Sequence, residues 1–417
     1  MGNQLIDINN IKTASNLLNT IVKKTPLQFN GRLSDSNKCS VWLKREDLQE
    51  VRSFKIRGAF NKIYSLKNTE RKKGVVCSSA GNHAQGFAKS CMELKIKGTV
   101  FMPTITPKQK IEQVKMFGGD YIKIILQGDT YDDTYISAKK FCDFNKMEFI
   151  HPFDDVSVIE GQATLALEIL SQKKHPIDYI IVPIGGGGLI SGVLSVFKEL
   201  SPKTKIIGVE PKGAPSMKES LERGKIEVLK KIDPFVDGAA VKKVGEIAFK
   251  ICQKYLDEIL LVPEGKICQT ILEMYNKDAI VVEPAGALSI SGLELYKEKF
   301  KNKNIVCLLC GSNNDISRMS EIKEKALLYS NLKHYFLIKL PQRAGALKEF
   351  VSEILGPNDD ITHFEYTKKN FKEKGVAVVG IECVDEKDLE NLLKKMKIHG
   401  FYSSYLNDKD DIRQMII

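Results

Sequence analysis

The sequence predicts an α/β protein with parallel sheets covered by helices, followed by a smaller α+β domain. Between about residues 70 and 320, short apolar runs alternate with helix-like stretches, and this alternation is typical of parallel sheets. After residue 330 the predicted order becomes β-α-β-β-α-β, the order of a ferredoxin-like domain. A chain of 417 residues is long enough for more than one domain.

The elements of the first region are predicted from its apolar runs in chain order. A strand at Gly74–Cys77 leads into a helix over Asn82–Leu94. A strand at Gly98–Met102, which Pro103 ends, leads into a helix that runs through Met116. The further predicted strands are Tyr121–Leu126, Glu148–Ile150, Tyr179–Pro183, Lys205–Val209 and Asn304–Leu309. Because parallel sheets bind ligands at the carboxyl ends of their strands, residues that follow these strands are the first candidates for a site.

The second region is predicted to form a domain of its own. Apolar and polar residues alternate in its first strand, and Gly356 and Pro357 end its first helix. The predicted strands are His334–Leu340, Ile361–Thr367, Val376–Cys383 and Tyr402–Leu406, and the predicted helices are Ala344–Leu355 and Lys387–His399.

The composition is that of a globular protein without a membrane span or a nucleic-acid surface. Hydrophobic residues make up 43% of the chain, and no apolar run reaches the ~18 residues that a membrane span requires. The net charge of +11 comes from lysines spread along the whole chain without interleaved aromatics, which favours a solvated surface. The amino terminus lacks the apolar stretch of a signal peptide, so we expect a soluble, cytoplasmic protein.

The nine cysteines predict neither a zinc site nor a disulfide framework. They are scattered, and the one C-x-x-C, formed by Cys307 and Cys310, has no second pair nearby and lies at an apolar run. We therefore expect reduced, mostly buried thiols in a reducing compartment.

Lys55 is the candidate reactive amine. A lysine is most often a surface charge, but Lys55 is closely followed by the small residues Gly58 and Ala59. A lysine that reacts with an aldehyde must be held unprotonated in a partly desolvated pocket. The segment Ser53–Ala59 is suggestive by itself and gains weight from two further motifs.

The segment Ser79–His83 is the candidate anion site. It is a loop of small residues that opens a predicted helix, so its backbone N–H groups and the helix dipole can bind a carboxylate. Ser79 can donate a further hydrogen bond, and Asn82 can both donate and accept. The alternative is an ordinary helix cap made by a serine or asparagine side chain. We assign His83 no catalytic role.

Four consecutive glycines, Gly185–Gly188, follow a predicted strand and form the candidate phosphate cradle. Such a run is entropically costly unless something must approach the backbone closely, and its N–H groups can surround an anion. A dinucleotide site, with Glu210 as its ribose acid, is the alternative, but the spacing does not fit G-x-G-x-x-G. The small polar residues of Leu309–Asn314 also end a strand and are a weak signal alone.

An amine, an anion-binding loop and a phosphate cradle are the parts needed to hold a phosphorylated aldehyde cofactor. The segments that carry them, together with one further segment, resemble those of the pyridoxal-phosphate (PLP) enzymes of the tryptophan-synthase-β class, called fold type II. Within that class the chain is similar to the threonine dehydratases (threonine ammonia-lyases), in the short biosynthetic form with one ACT-like regulatory domain. The four segments are Ser53–Ala59, Ser79–Gly86, Gly185–Leu189 and Glu283–Ala287.

The C-terminal segments Pro341–Leu347 and Gly356–Thr362 are similar to the regulatory domain of that short form. The resemblance implies two open parallel-sheet domains of the fold type II kind and a ferredoxin-like, ACT-like domain after them. It implies a PLP-dependent catalytic region at 1–328 and the regulatory domain at 329–417. Within the catalytic region, a small domain of about 42–152 would be inserted in a large domain formed by 1–41 and 153–328.

The resemblance also implies a role for each matching residue. Lys55 would bind the cofactor aldehyde covalently and later act as the base, and Asn82 would hydrogen-bond the ring oxygen. Cys310, where many relatives have serine, would face the pyridine nitrogen. The cofactor phosphate would be held by Gly185, Gly186, Gly187, Gly188 and Leu189. The substrate carboxylate would be held by Ser79, Ala80, Gly81 and Asn82.

Two departures from the relatives bear on the chemistry. Ala80 stands where related serine racemases have a serine that acts as a second base, so racemisation should be poor. Some relatives bind a metal through the segment that matches Glu210–Ser216. Ser216 is a weaker ligand than their aspartate, and no metal ligand is assigned here.

The function that the resemblance implies is PLP-dependent β-elimination of L-threonine to 2-oxobutanoate and ammonia, the first step of isoleucine biosynthesis. Isoleucine would be the effector of the C-terminal domain, L-serine a second substrate, and the assembly a homotetramer. One alternative is a catabolic L-serine/L-threonine dehydratase, which the extra domain disfavours. A non-catalytic amino-acid-binding regulator on the same fold is disfavoured by the intact Lys55 and Asn82. A nucleotide-binding dehydrogenase would leave Lys55 unexplained.

Overall fold

The computed structural model describes residues 5–366 and 374–409, and the chain divides into two compact units, Met1–Ile316 and Ser317–Ile417. The first unit contains two largely parallel sheets, and the second contains an antiparallel sheet. Both predicted fold classes are therefore confirmed. In the described part of the chain, none of the helices is long and apolar enough to cross a membrane.

The strands of the first unit form a six-stranded and a four-stranded sheet. In chain order they are β1 (Leu27–Phe29), β2 (Ser40–Arg45), β3 (Val75–Ser78), β4 (Gly98–Met102), β5 (Ile122–Leu126), β6 (Glu148–Phe149), β7 (Tyr179–Pro183), β8 (Lys205–Pro211), β9 (Glu258–Val262) and β10 (Asn304–Leu309). The larger sheet has the order β1-β2-β10-β7-β8-β9, in which only the β1–β2 pair is antiparallel. The smaller sheet, β5-β4-β3-β6, is parallel throughout.

Helices cover both sheets of the first unit. They are α1 (Ile8–Leu18), α2 (Gly31–Asn37), α3 (Lys55–Ser65), α4 (Asn68–Arg71), α5 (Asn82–Leu94), α6 (Lys108–Gly118), α7 (Tyr131–Phe144), α8 (Val156–Gln172), α9 (Gly188–Leu200), α10 (Ser216–Arg223), α11 (Glu246–Tyr255), α12 (Glu264–Asp278) and α13 (Pro284–Leu295). Because helices lie on both faces, central strands such as β7 and β10 are almost continuously apolar and buried. Helix α8 packs on both α3 and α9. The start of α3 lies at the carboxyl end of the larger sheet, because the Phe54 N–H donates to the carbonyl of Cys310, the residue after β10.

Sequence periodicity predicted some elements to the residue and missed others. Strands β4, β7 and β10 and helix α5 begin and end where they were predicted. Strand β2 was missed because it ends in Lys44 and Arg45, two charged residues that are nevertheless buried. The predicted start of a small domain near residue 42 lies inside β2. β2 pairs with β10, so residues 42–45 belong to the larger sheet.

The second unit has a four-stranded antiparallel sheet with the order β12-β13-β11-β14. Its strands are β11 (Lys333–Pro341), β12 (Asp360–Tyr366), β13 (Lys374–Glu382) and β14 (Tyr402–Tyr405), and its helices are α14 (Met319–Tyr329), α15 (Ala346–Glu349) and α16 (Asp388–Ile398). The core contains Phe336, Phe350 and Met396. The helix predicted over Ala344–Leu355 is shorter, because α15 passes into a π-helical turn at Phe350–Ile354. Thr367, the predicted end of the second strand, lies outside the described residues.

Candidate active site

A cavity opens where β7 and β10 end, at the carboxyl side of the larger sheet. Its volume is about 450 Å³, including the part open to solvent. Lys55, Cys310 and the glycine run Gly185–Gly188 all line it, although they come from distant parts of the sequence. The glycine run and Cys310, which follow two of the predicted parallel strands, thus line the same cavity as Lys55.

Lys55 is the first residue of α3, and its amino group has no carboxylate partner among residues 5–366 and 374–409. The preceding backbone is tied to the end of β10, because the Phe54 N–H donates to the Cys310 carbonyl at 3.2 Å. The Lys55 Nζ donates to the Pro152 carbonyl at 2.8 Å. Burial lowers the pKa of Lys55 to about 8, against the opposing influence of Cys310 and Glu283. About a tenth of the amine is therefore unprotonated one pH unit below that pKa, far more than for an ordinary lysine.

The glycine run leads from β7 directly into α9, and no side chain would fit there. Gly187 has a φ of +95°, a left-handed conformation that favours glycine. A Cβ on Gly186 would lie 2.3 Å from the Phe153 ring, and a Cβ on Gly188 would lie 2.8 Å from the Phe153 carbonyl oxygen. The first N–H groups of α9 have no intrahelical acceptor, so this bare backbone at a helix N-terminus is suited to an anion such as a phosphate.

The predicted anion loop, Ser79–Gly81, connects β3 to the first turn of α5. Gly81 precedes the helix, and no side chain caps α5. The Ser79 hydroxyl accepts from the Gly81 N–H at 3.2 Å, within the loop itself. The alternative of an ordinary serine or asparagine helix cap is therefore wrong, and the N–H groups of the first turn stay open to a ligand.

Asn82, the first residue of α5, joins a buried polar network. Its Nδ2 donates to the Glu283 Oε1 at 2.5 Å, and its Oδ1 accepts from the Asn313 Nδ2 at 2.7 Å. Burial, followed by the charge of Asp237, raises the pKa of Glu283 to about 7. Sequence reasoning singled out Asn82 and the segment that begins at Glu283, but it did not predict that they touch.

Cys310 and His83 are neutral groups next to this site. The Cys310 thiol donates to the Ala285 carbonyl at 3.3 Å, and burial raises its pKa far above the usual range. The His83 Nε2 bonds to the Ile150 carbonyl at 3.0 Å. Burial and the positive charge of Lys55 lower the pKa of His83 to about 3, so its ring stays uncharged at neutral pH.

Gln162 is a candidate ligand-binding residue that sequence reasoning missed. It lies on α8, is only 2% exposed and lines the cavity beside Lys55. Among the described residues, neither atom of its terminal amide has a hydrogen-bond partner. A buried amide without a partner costs about 1–3 kcal/mol, so a polar ligand or water is needed to satisfy it. The sequence signal is weak: a glutamine between Gly161 and Ala163 on an otherwise apolar helix face.

Glu210 is occupied by the protein itself. Its two carboxylate oxygens accept the Met217 and Lys218 N–H groups, at 2.7 and 2.9 Å, at the start of α10. The Ser216 hydroxyl donates to the Val241 carbonyl. Within residues 5–366 and 374–409, no group of three or more His, Cys, Asp or Glu residues is arranged to hold a metal ion. Because both oxygens of Glu210 already accept hydrogen bonds from the protein, this carboxylate is not free to bind a ribose, which disfavours the dinucleotide alternative.

A phosphorylated aldehyde fits the groups that surround the cavity. The amine of Lys55 can react with the aldehyde, the bare glycine backbone can receive the phosphate, and the unpaired amide of Gln162 can donate to an oxygen.

Comparisons with known proteins agree with this chemistry. The family described as "Pyridoxal-phosphate dependent enzyme" matches residues 18–311, and the "C-terminal regulatory domain of Threonine dehydratase" matches residues 324–416. The chain is 55% identical over 412 residues to the L-threonine dehydratase biosynthetic IlvA of Halalkalibacterium halodurans, covering 99% of each chain. It is 52% identical to the protein of the same name from Bacillus subtilis, covering 100% of this chain and 98% of that one. Among solved structures, the processed form of threonine deaminase isoform 2 from Solanum lycopersicum is 40% identical, with a TM-score of 0.73, over 77% of this chain and 90% of that one.

Proposed function

This chain belongs to the family of pyridoxal-phosphate dependent enzymes, and from that premise we propose that it deaminates L-threonine to 2-oxobutanoate and ammonia. This reaction is the first step of isoleucine biosynthesis. The observation that carries the proposal is the amine of Lys55, which is desolvated, has a lowered pKa and lies beside the glycine run. Full-length similarity to the biosynthetic threonine dehydratases supports the choice of threonine as substrate.

Lys55 and the backbone of Gly185–Leu189 line the cavity, where they would bind the aldehyde and receive the phosphate. Asn82 is not part of that lining; it lies in the network with Glu283 and Asn313 and would donate to the ring oxygen. Cys310 lines the cavity and would meet the pyridine nitrogen as a neutral thiol, because burial raises its pKa. A neutral partner leaves the ring nitrogen unprotonated, which makes the ring a weaker electron sink than one paired with a carboxylate. We add Gln162 to this set because its amide has no other partner among the described residues.

The bound cofactor supplies an electron sink next to the α-carbon of the amino acid. Lys55 accepts the α-proton, since its pKa of about 8 leaves part of the amine neutral near physiological pH. The loop Ser79–Asn82 orients the substrate by its carboxylate, because open N–H groups at the start of α5 point a partial positive charge at an anion. Ala80 has no group that transfers a proton, so the loop offers no second base and elimination is favoured over racemisation.

The direct test of this function is an assay of the purified full-length protein. We expect release of 2-oxobutanoate and ammonia from L-threonine, and slower release of pyruvate and ammonia from L-serine. A protein that binds the cofactor but releases no 2-oxo acid from either amino acid would contradict the proposal.

We propose isoleucine as the effector of the C-terminal domain, which we place at 329–417 behind a catalytic region at 1–328. The match to a threonine dehydratase regulatory domain supports an effector at this part of the chain. Coupling between two such sites is typically worth ~1–3 kcal/mol, so isoleucine should weaken the response to threonine ~5- to 150-fold. Full-length enzyme that keeps the same threonine kinetics at saturating isoleucine would argue against this effector.

We also propose a homotetramer in the cytoplasm. All nine cysteines are free and buried, which supports a reducing compartment. Sedimentation of the purified protein at several concentrations, with and without isoleucine, measures the assembly directly.

A further inference from the structure

Glu283 is the first residue of Glu283–Ala287, which is the one segment of the four that resemble the PLP enzymes to which no role has been assigned. It immediately precedes α13 and is only 4% exposed. In the part of the chain that the structure describes, its carboxylate pairs with no cation, and its two hydrogen bonds come from Asn82 and from the backbone N–H of Asn313. A buried carboxylate that is paired only with amides is costly, and it therefore calls for an explanation beyond stability.

The network around Glu283 closes into a ring of three residues. The Glu283 Oε1 accepts from the Asn82 Nδ2 at 2.5 Å, and the Glu283 Oε2 accepts from the Asn313 N–H at 3.1 Å. The Asn313 Nδ2 donates to the Asn82 Oδ1 at 2.7 Å and to the Val51 carbonyl at 2.9 Å. Asn82 is therefore held from both ends of its amide.

These contacts permit one orientation of the Asn82 amide. An ionised carboxylate only accepts, so it must face the Asn82 NH₂ group. The Asn313 amide is fixed in turn, because its NH₂ group is used by the Val51 carbonyl and must meet the Asn82 oxygen. With the amide set in this way, one Nδ2 hydrogen of Asn82 goes to Glu283 and the second remains for a ligand.

The surrounding backbone leaves room for this arrangement only because two neighbours are glycines. A Cβ on Gly311 would lie 2.3 Å from the Glu283 Oε1 and 3.2 Å from the Asn82 Nδ2. A Cβ on Gly286 would lie 2.1 Å from the Gly311 carbonyl oxygen. Gly311 directly follows Cys310 of the cavity wall, so the network is built against the cofactor site.

We propose that Glu283 is a positioning residue that, together with Asn313, fixes the Asn82 amide so that it presents an N–H group, and not its oxygen, to the ring oxygen of the cofactor. This inference rests on the proposed contact of Asn82 with that oxygen. The ring oxygen is an acceptor when it is ionised, and a rotated amide would place oxygen against oxygen.

The ionised form of Glu283 is the one that enforces this orientation. Burial raises its pKa to about 7; the charge of Asp237 also raises it, while the hydrogen bonds from Asn82 and Asn313 and the charge of Lys110 lower it. The other charged or titratable groups that face it are Lys55 and Cys310. The orientation should therefore be measured well above that pKa, where the carboxyl is ionised.

The test compares two ligands on the full-length apoprotein: pyridoxal 5′-phosphate and its analogue in which hydrogen replaces the ring hydroxyl. The Glu283→Gln variant brings an NH₂ group that must face a donor of Asn82 or Asn313, so one hydrogen bond is lost and the amide can rotate. We expect its affinity for the cofactor to fall about tenfold, while its affinity for the analogue changes less than about twofold.

The matched control is Glu294→Gln at the opposite end of α13, where the carboxylate pairs with Lys266 at 2.9 Å. It should leave both affinities unchanged. If Glu283→Gln does not fold, the two affinities can be compared in Asn313→Ala instead. This variant should again lose affinity only for the ligand that has the ring oxygen. A purely structural role of Glu283 would weaken both ligands equally, and that result would overturn the inference.

Two further outcomes separate this inference from its premise. If wild-type protein binds both ligands equally, Asn82 does not contact the ring oxygen. The inference about Glu283 would then fail together with its premise. Wild-type protein that prefers the cofactor, with variants that keep this preference, would overturn the role of Glu283 alone.

Discussion

The first turn of α3 carries two cations in separate clusters of contacts, a buried cluster around Arg57 and a partly buried one around Lys55, and the two differ in whether the positive charge is paired. Arg57 binds Glu46 at 2.8 Å and Glu168 at 2.7 Å, and Lys44 binds Glu168 at 2.5 Å. Lys55, two residues earlier, has only a backbone carbonyl as acceptor. Residues two apart on a helix face different directions, so one turn of helix serves both clusters.

The consequence is opposite for the two cations. Burial alone would lower the pKa of Arg57, but Glu46 and Glu168 raise it above its ordinary value. Burial lowers the pKa of Lys55 to about 8, because no carboxylate pairs with it in the described part of the chain. A paired buried charge holds the fold together, whereas an unpaired one is kept reactive.

The largest expected effect comes from removing the unpaired charge. Lys55→Ala should lower the turnover of L-threonine by at least ~10³-fold, because both the attachment of the cofactor and the proton transfer depend on this amine. The visible absorbance band of the bound cofactor should disappear as well. Lys62→Ala, on the same helix and paired with Asp155 at 2.8 Å, is the control and should retain both. If Lys55→Ala keeps its turnover, the unpaired amine of Lys55 is not the catalytic group.

Breaking the paired cluster should act on stability. Arg57→Met leaves Glu46 and Glu168 without their guanidinium, so we expect the free energy of unfolding to fall by about 3–5 kcal/mol. Lys62→Met, which breaks the more exposed pair with Asp155, should cost only about 0–1 kcal/mol. Denaturant titration of the apoproteins measures both. Equal losses in the two variants would show that burial of the ion pair is not the deciding factor.

The pH dependence of cofactor attachment tests whether the pKa of the unpaired Lys55 is lowered. The lowered pKa of Lys55 means that the neutral amine increases about tenfold per pH unit below that pKa and levels off above it. The rate at which the apoprotein binds pyridoxal 5′-phosphate covalently should follow this curve, with its midpoint at about 8. A rate that keeps rising towards the ordinary lysine pKa of 10.5 would mean that the amine is not desolvated.

The smallest expected effect is on the unpaired amide. Gln162→Leu should leave the unfolding free energy of the apoprotein unchanged or slightly raised, because it removes a buried amide that has no partner in the described residues. The same change should weaken cofactor binding about 3- to 10-fold, since a ligand contact is lost. Thermal melting and cofactor titration separate the two effects. A variant that loses stability in the apo form would indicate a structural partner for Gln162.

The sequence predicted the parts of this site that are local. Lys55, the loop Ser79–Asn82 and Gly185–Gly188 each lie in a short motif directly after a strand or at the start of a helix, and a motif of this kind is visible without the fold. The rule that ligands bind at the carboxyl ends of parallel strands accounts for Gly185–Gly188 and Cys310, which follow β7 and β10 of the larger sheet. It does not account for Ser79–Asn82, which follow β3 of the smaller sheet.

What the sequence did not predict depends on partners far apart in the chain. Arg57 meets Glu168 across 111 positions, and Asn82 meets Glu283 across 201 positions. Neither pairing leaves a periodic or local signal. Strand β2 was missed for the same reason, since the partners of the buried Lys44 amine, Thr25, Glu168 and Gln172, are all distant in sequence.

The central claim is that the unpaired amine of Lys55, among the many lysines of this chain, is the one that the cofactor occupies. Borohydride reduction of the purified protein with pyridoxal 5′-phosphate, followed by peptide mass spectrometry, tests it directly. We expect a single stoichiometric label on the peptide that contains Lys55. A label on another lysine, or an unlabelled Lys55 after the cofactor has been supplied in excess, would contradict the account.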